Sequence, residues 1–166
     1  YFKKLKSPIE QTQESSGGTV IRSFRNAEDG IATGVEIEFR KELFKNLRIG
    51  ANGSYMYTNV ILPEGGVYTD SERALQGASP FLINADISYT PQLRGESDLT
   101  LALVYNVQGP RIETVGIYGT GNIKQQTLHT MDFIASYAIN KHLNLRLQMK
   151  DLLNSTIRFK QELPAT

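Results

Sequence analysis

The chain of 166 residues carries 18 basic and 17 acidic side chains, two histidines and no cysteine. The near-neutral charge argues against a nucleic-acid-binding protein, and the missing thiols exclude disulfides, thiol catalysis and cysteine-ligated zinc. No run of apolar residues is long enough for a transmembrane helix, but a membrane β-strand needs only about 9–11 alternating residues.

Six segments alternate between apolar and polar residues with a period of two, which predicts β-strands. They cover residues 35–40, 47–58, 81–89, 99–107, 131–139 and 143–150. In all six, the apolar side chains hold the odd-numbered positions. Before them, residues 1–13 and 19–25 alternate less cleanly, Gly17-Gly18 indicates a loop tip, and Gly30 or Gly34 indicates a bulge in a long strand.

Short and long connections alternate between these strands. Because same-face partners across a hairpin differ by an even number, the tight turns should hold three residues, a common loop length. We therefore expect Leu43 to lie opposite Leu47, and Ile139 opposite Leu143. Residues 90–98 indicate a somewhat longer turn. Two further connections, residues 63–80 and 109–126, are predicted to be long, glycine-rich loops.

The pattern predicts an all-β fold, an antiparallel up-and-down meander of about seven strands. Its apolar face has two possible environments, the lipid around an outer-membrane barrel or the interior of a soluble sandwich. The polar face favours the barrel because it carries residues suited to hydrogen bonding inside a wide lumen, which are Asn52, Asn84, Asp86, Asn106, Asp132 and Gln148.

Aromatic residues near both ends of the strands also favour a membrane barrel, which has an aromatic girdle at each interface. Phe44, Tyr89 and Tyr137 lie beside the short turns, and a second set, Tyr55, Tyr57 and Tyr105, lies toward the long loops. No apolar cluster remains in the sequence to form a second packing layer. These features together predict a segment of a transmembrane β-barrel.

Several short segments carry a family likeness. They are residues 34–39 (GVEIEF), 75–89 (LQGASPFLINADISY), 104–106 (VYN), 109–112 (GPRI), 130–133 (TMDF) and 150–154 (KDLLN). In order and spacing they resemble the C-terminal barrel strands of TonB-dependent outer-membrane receptors, in particular the SusC-like receptors of Bacteroidetes. The likeness extends from about residue 24 to residue 160. It implies a barrel of about 22 strands with a plug inside, which imports a bulky nutrient with TonB-coupled energy.

On this resemblance, residues 1–166 form a single partial domain, truncated at both ends, without the plug, the last strand or a signal peptide. The parent protein is expected in the outer membrane, in contact with its lipid. The implied partners are the TonB complex, reached through the missing N-terminal part, a nutrient ligand (a glycan, a peptide or a chelated metal) and a surface lipoprotein. Nucleic acid is not among them, and the isolated chain is expected to self-associate through its strand edges.

The long loops are the predicted substrate-contact region, because aromatic rings and guanidinium groups suit sugars, peptides and chelated anions. The candidate contact residues are Tyr68, Arg73, Arg111 and Tyr118. We expect no catalytic residue, metal or cofactor, and hence no enzyme, since no nucleophile, base and orienting group can be assembled from the strands.

Two alternatives remain open at this point. A complete eight-stranded outer-membrane barrel would suit the chain length and requires a closed cylinder. A soluble β-sandwich or calycin-like barrel that binds a small ligand would place Leu101, Leu103, Phe133 and Leu145 in its interior.

Overall fold

The computed structural model describes residues 1–16, 18–62, 71–93, 98–140 and 142–162, in which all the regular elements are strands. The strands are β1 (Phe2–Lys6), β2 (Ile9–Ser16), β3 (Thr19–Asn26), β4 (Asp29–Phe44), β5 (Leu47–Ile61), β6 (Glu72–Arg73), β7 (Phe81–Tyr89), β8 (Asp98–Gln108), β9 (Arg111–Gly116), β10 (Ile123–Gln125), β11 (Leu128–Asn140), β12 (Leu143–Met149) and β13 (Phe159–Gln161). Within those ranges, there is no helix with the length and apolar character to span a membrane.

Most of the predicted strands form one large antiparallel sheet. Its strand order is β1-β4-β5-β7-β8-β11-β12, with the short β6 paired to β5. From β4 to β12 each strand of this path pairs with the next one along the large sheet, which is the expected up-and-down meander. The all-β fold class is thus confirmed, and the seven strands of the path match the predicted number.

The two tight turns differ in detail from the prediction. Leu47 pairs with Phe44 instead of Leu43, and Leu143 pairs with Asn140 instead of Ile139, because each hairpin has a register shift just before its tip. Asn46, at a φ of 71°, supplies the left-handed residue that such a bulged turn requires. Beyond the shifts, the registers of both hairpins are those that a three-residue loop predicts.

The predicted bulge at Gly30 or Gly34 is wrong. Both residues pair in an unbroken register, Gly30 with Val60 and Gly34 with Met56. A Cβ atom on Gly34 would lie 2.7 Å from the Tyr1 hydroxyl oxygen, and one on Gly30 would lie 2.8 Å from a Val60 methyl carbon. Glycine is needed here because these side chains approach closely and because the Tyr55 carbonyl oxygen would lie 2.6 Å from a Cβ on Gly34. At the predicted loop tip Gly18 adopts a φ of 81°, whereas Gly17 lies outside the described residues.

A second, small sheet has the strand order β13-β10-β9-β2-β3. It corrects the prediction that residues 109–126 are only a loop, because β9 and β10 lie there. It also contains a small apolar cluster of Ile112, Val115 and Ile117, contrary to the expectation that none remained. Both features escape a test for alternation because β9 and β10 have only six and three residues.

The small sheet is built from the far ends of the hairpins of the large sheet. Lys6 pairs with Asp29 and Ile9 with Asn26. The register of the β1–β4 pair therefore continues unchanged across the break into the β2–β3 pair. The break itself is bridged, since Ser7 N–H donates to the Glu28 carbonyl at 2.8 Å. The two strand pairs are therefore one long hairpin with a bend.

The same relation joins β8–β11 to β9–β10. Leu128 pairs with Gln108 and Gln125 with Arg111, so the register continues across the break and shifts only farther on, between Lys124 and Ile123. The two bent hairpins then meet, because β2 and β9 pair in parallel around Thr12 and Val115. In the large sheet the parent strands β1 and β8 are separated by β4, β5 and β7, so this contact spans several strands.

The two faces of the large sheet have different surroundings. We call them the odd face and the even face, after the residue numbers in β4, β5, β7, β8, β11 and β12. At the long-loop end the even face is covered, with Ala32, Thr58 and Val60 buried under the small sheet and residues 71–80. The apolar odd face remains open, and Ile37 and Leu145 are 69% and 55% exposed.

Candidate functional site

A buried ion pair joins the first bent hairpin to residues 71–80. Two Arg73 guanidinium nitrogens donate to the two carboxylate oxygens of Glu10, at 2.7 and 3.4 Å. The Arg73 side chain is 5% exposed and that of Glu10 is 0% exposed. Arg73 is held in place because β6 pairs it with Val60 of β5, on the covered even face. Such a pair needs its full geometry, since each charge has lost its hydration.

Gln76 joins three segments at the same place. Its side-chain oxygen accepts a hydrogen bond from Gln11 N–H at 2.6 Å, and its amide nitrogen donates to the carbonyls of Gln11 and Glu113 at 3.2 and 2.7 Å. Gly77 N–H donates to the Ile112 carbonyl at 2.9 Å. Residues 71–80 therefore hold β2 and β9 together, and the two hairpins cannot separate without losing these bonds.

A cleft of about 440 Å³ lies beside this junction. Its lining includes two tyrosines, two prolines and several charged side chains, which are Tyr55, Tyr57, Pro80, Pro110, Glu72, Arg73, Arg111 and Lys124. Arg111 lies 3.5 Å from a Glu113 carboxylate oxygen, and Lys124 lies 2.5 Å from one of Glu162. The cations of the cleft thus already have carboxylate partners, while Tyr55 and Tyr57 belong to the odd face by their register.

The structure brings together two of the four predicted contact residues. Arg73 and Arg111 both line the cleft, although the charge of Arg73 is directed at Glu10. Tyr118 lies in the β9–β10 turn at a φ of 54°, is 63% exposed and does not line the cleft. Tyr68 lies outside the described residues.

Sequence reasoning missed Glu10 and Gln76. Glu10 lies in the stretch without clean alternation, and Gln76 lies in a predicted loop, so no local pattern separates them from ordinary surface residues. The sequence offers one weak signal for Glu10, namely that it lies beside Gln11 and Thr12 in a segment rich in polar residues. Their importance depends on contacts between segments that are more than sixty residues apart.

The even face of the large sheet carries a row of amide side chains across neighbouring strands. Asn52, Asn84 and Asn106 are successive cross-strand partners, and Thr130 is the next. The Asn84 amide donates to the Asn52 side-chain oxygen at 2.7 Å, and that of Asn106 donates to the Thr130 hydroxyl at 3.4 Å. This row offers hydrogen-bonding groups to any polar occupant of the space in front of the even face.

Chemically, the described residues offer recognition groups. They contain no group of three or more histidine, aspartate or glutamate side chains that could hold a metal ion. Guanidinium groups at the cleft, and amides along the even face, can bind polar or planar ligands by hydrogen bonding and stacking.

Comparison with known proteins gives one match. A family described as the outer membrane protein β-barrel family has a model that matches residues 1–164, a range that includes both sheets. No curated protein and no solved structure matched the chain.

Proposed function

The chain belongs to the outer membrane protein β-barrel family, and from this premise we propose that it forms part of the barrel wall of a TonB-dependent receptor. In this proposal, the receptor imports a bulky nutrient through a lumen bounded by the even face. The odd face contacts lipid, the short turns face the periplasm and the long hairpins lie outside the cell.

One observation carries the proposal, namely that the apolar face is open while the polar face is partly covered. A soluble sandwich would bury the odd face, yet Ile37 and Leu145 are among its exposed residues. The four residues that the soluble alternative places in an interior include Leu145, and none of the four is buried. An apolar surface of this extent needs another apolar medium, and family membership indicates that this medium is lipid.

The height of the apolar band fits a membrane. On β5 it extends from Leu47 to Tyr57, ten residue steps that correspond to about 34 Å at about 3.4 Å per residue. With a strand tilt of about 40°, the height along the membrane normal is about 26 Å, close to the band of about 25 Å in outer-membrane barrels. Tyr57 and Tyr89 mark its two ends with exposed rings.

The open edges of the large sheet support a large barrel over a small one. Within the described residues, β1 pairs only with β4 and β12 only with β11, so the seven strands of the path do not close. A complete eight-stranded barrel would join its first and last strands. The segments that resemble TonB-dependent receptors add the importer role, and the cleft at Arg111 is the proposed ligand contact.

The proposal is tested in the organism that carries the parent protein. Strains lacking either the parent gene or TonB are compared on a panel of scarce bulky nutrients, which includes glycans, peptides and chelated metals. We expect the parent deletion to abolish growth on one nutrient that the TonB deletion also abolishes. Growth supported by the parent protein in the strain without TonB would contradict energy-coupled import.

A variant connects this growth phenotype to the cleft. Arg111→Ala removes a guanidinium from the lining and should weaken uptake of the identified nutrient. Lys45→Ala changes a charge in the turn at the opposite end of the sheet and serves as the matched control. Equal uptake by the two variants would exclude Arg111 as a ligand contact while leaving the import test unaffected.

A further inference from the structure

The first strand does not follow the odd-even rule of the rest of the large sheet. Phe2 pairs with Thr33, Lys4 with Ile31 and Lys6 with Asp29, so even-numbered residues of β1 share the odd face of β4. The cause is the first hairpin, in which Ser16 pairs with Thr19 and only two residues remain at the tip. Lys4 and Lys6 therefore lie on the apolar face.

The height of these lysines is set by an aromatic row. Phe2 pairs with Thr33, and Thr33 pairs with Tyr57, which places two exposed rings at the outer end of the apolar band. Lys4 lies two residues farther out, about 5 Å along the membrane normal, and Lys6 about 10 Å. A headgroup layer is about 5–8 Å thick on each side. Lys4 thus lies within this layer, and Lys6 lies just beyond it, from where its long side chain can reach back.

A groove of about 250 Å³ lies between the two lysines and the neighbouring strands. Its lining includes the apolar residues Ile31 and Ile61, which lie on the same face as the two lysines. Neither ammonium forms a salt bridge with a carboxylate of the described residues. The groove therefore offers two positive charges just outside the apolar band, and this charge complements the phosphate groups of a lipid whose acyl chains lie against that band.

Two carboxylates share this face and reduce its positive potential. Asp29 is the cross-strand neighbour of Lys6 and also lines the groove. Glu72 accepts a hydrogen bond from the Asn59 side-chain amide at 2.8 Å. Because an anion must approach Asp29 as well as the lysines, the two carboxylates should limit the affinity for a phosphate group.

We propose that Lys4 and Lys6 bind the phosphate groups of a phosphorylated glycolipid in the outer leaflet, whose acyl chains cover the apolar band below Phe2 and Tyr57. The proposal rests on the orientation given above, in which the long hairpins lie outside the cell. Lysine binds phosphate as a point charge, so no fixed fork geometry is required of the two side chains. The site serves attachment to lipid and is separate from the ligand cleft.

The test uses the full-length receptor in detergent, with bound diphosphoryl lipid A counted by native mass spectrometry. At about 1 kcal/mol per lysine near an anionic surface, Lys4→Gln should weaken binding about fivefold, and the double variant with Lys6→Gln about thirtyfold. Asp29→Asn should strengthen binding. Lys41→Gln with Lys45→Gln, at the opposite end of the sheet, is the matched control and should bind as the unmodified receptor does.

Three outcomes would overturn the proposal. They are unchanged lipid A binding by the double variant, an equal loss in the control variant, and displacement of lipid A by inorganic phosphate at equal concentration, which would indicate a general anion site. TonB-dependent nutrient uptake by the same variants is measured in parallel. Loss of lipid binding with normal uptake supports the lipid site. Normal lipid binding with loss of uptake contradicts the lipid site and leaves the proposed import unaffected.

Discussion

At the residue scale, the buried Glu10–Arg73 pair is the contact whose disruption should destabilise the protein most. Arg73→Met should destabilise the small sheet by about 3–5 kcal/mol, because it leaves the Glu10 carboxylate buried without its partner. Adding Glu10→Leu should restore most of that stability, since two apolar side chains remove both desolvation costs. The rate of proteolysis in the first hairpin, measured for the receptor in detergent, reports both effects.

The control for this pair is an exposed one. Glu38 and Arg40 form a 2.8 Å salt bridge with both side chains more than half exposed. Glu38→Gln should change stability by less than about 1 kcal/mol. If the Arg73→Met variant and the double variant were degraded equally fast, the buried charge would not be the cause of the instability.

The residues of the candidate site were only partly predictable. Arg73 and Arg111 could be chosen from the sequence because guanidinium groups in long loops are suited to ligand contact. That Arg73 would be neutralised by Glu10 could not be predicted, because the contact requires the first hairpin to bend over residues 71–80. The role of Gln76 could not be predicted for the same reason, since its side chain makes three hydrogen bonds to main-chain atoms of two distant strands.

At the element scale, the β4–β5 turn depends on one left-handed residue. Asn46→Val should destabilise the hairpin by about 1–2 kcal/mol, because a β-branched side chain resists the φ of 71° that the turn requires. Asn46→Gly should be neutral or stabilising. Unfolding in urea measures the difference, and Lys45→Val, at the neighbouring turn position without a positive φ, is the control. Equal losses at both positions would contradict this explanation.

Strand β4 also provides a direct test of the two faces. Ile37 pairs with Gly53, about halfway along the apolar band, while the adjacent Glu38 lies on the even face. Ile37→Arg should cost about 2–4 kcal/mol of folding free energy in a bilayer, because the charge would face hydrocarbon near the midplane. Glu38→Arg should cost far less. The free energies are measured by refolding the receptor into phospholipid vesicles, and the reverse order would refute lipid contact by the odd face.

Alternation predicted the strands whose two faces meet different media. The six segments appear as β4, β5, β7, β8, β11 and β12, and β4 is longer than predicted at both ends. The same reasoning failed for β2, β3, β9 and β10. There, burial is decided by contacts between bent hairpins, as with Glu10, which is buried although its cross-strand partner Arg25 is exposed.

At the scale of the whole molecule, the sheet has two unpaired edges as well as an open apolar face. The β1 edge and the β12 edge each expose main-chain groups that pair on one side only among the described residues. A long, exposed edge strand is a template for pairing with another chain. In a larger barrel both edges would pair with further strands, and the isolated chain must find a substitute.

The isolated chain should therefore self-associate in detergent-free buffer, and two sources of association can be separated. Detergent covers the apolar face, so association that persists in detergent is attributed to the edges. Leu147→Pro, on the edge strand β12, should then reduce it, because proline provides no N–H for a new ladder. Val35→Pro, in the paired strand β4, is the contrasting variant and should disrupt folding instead. Sedimentation velocity measures the oligomer size, and a monodisperse monomer without detergent would show that the chain covers its face and edges by itself.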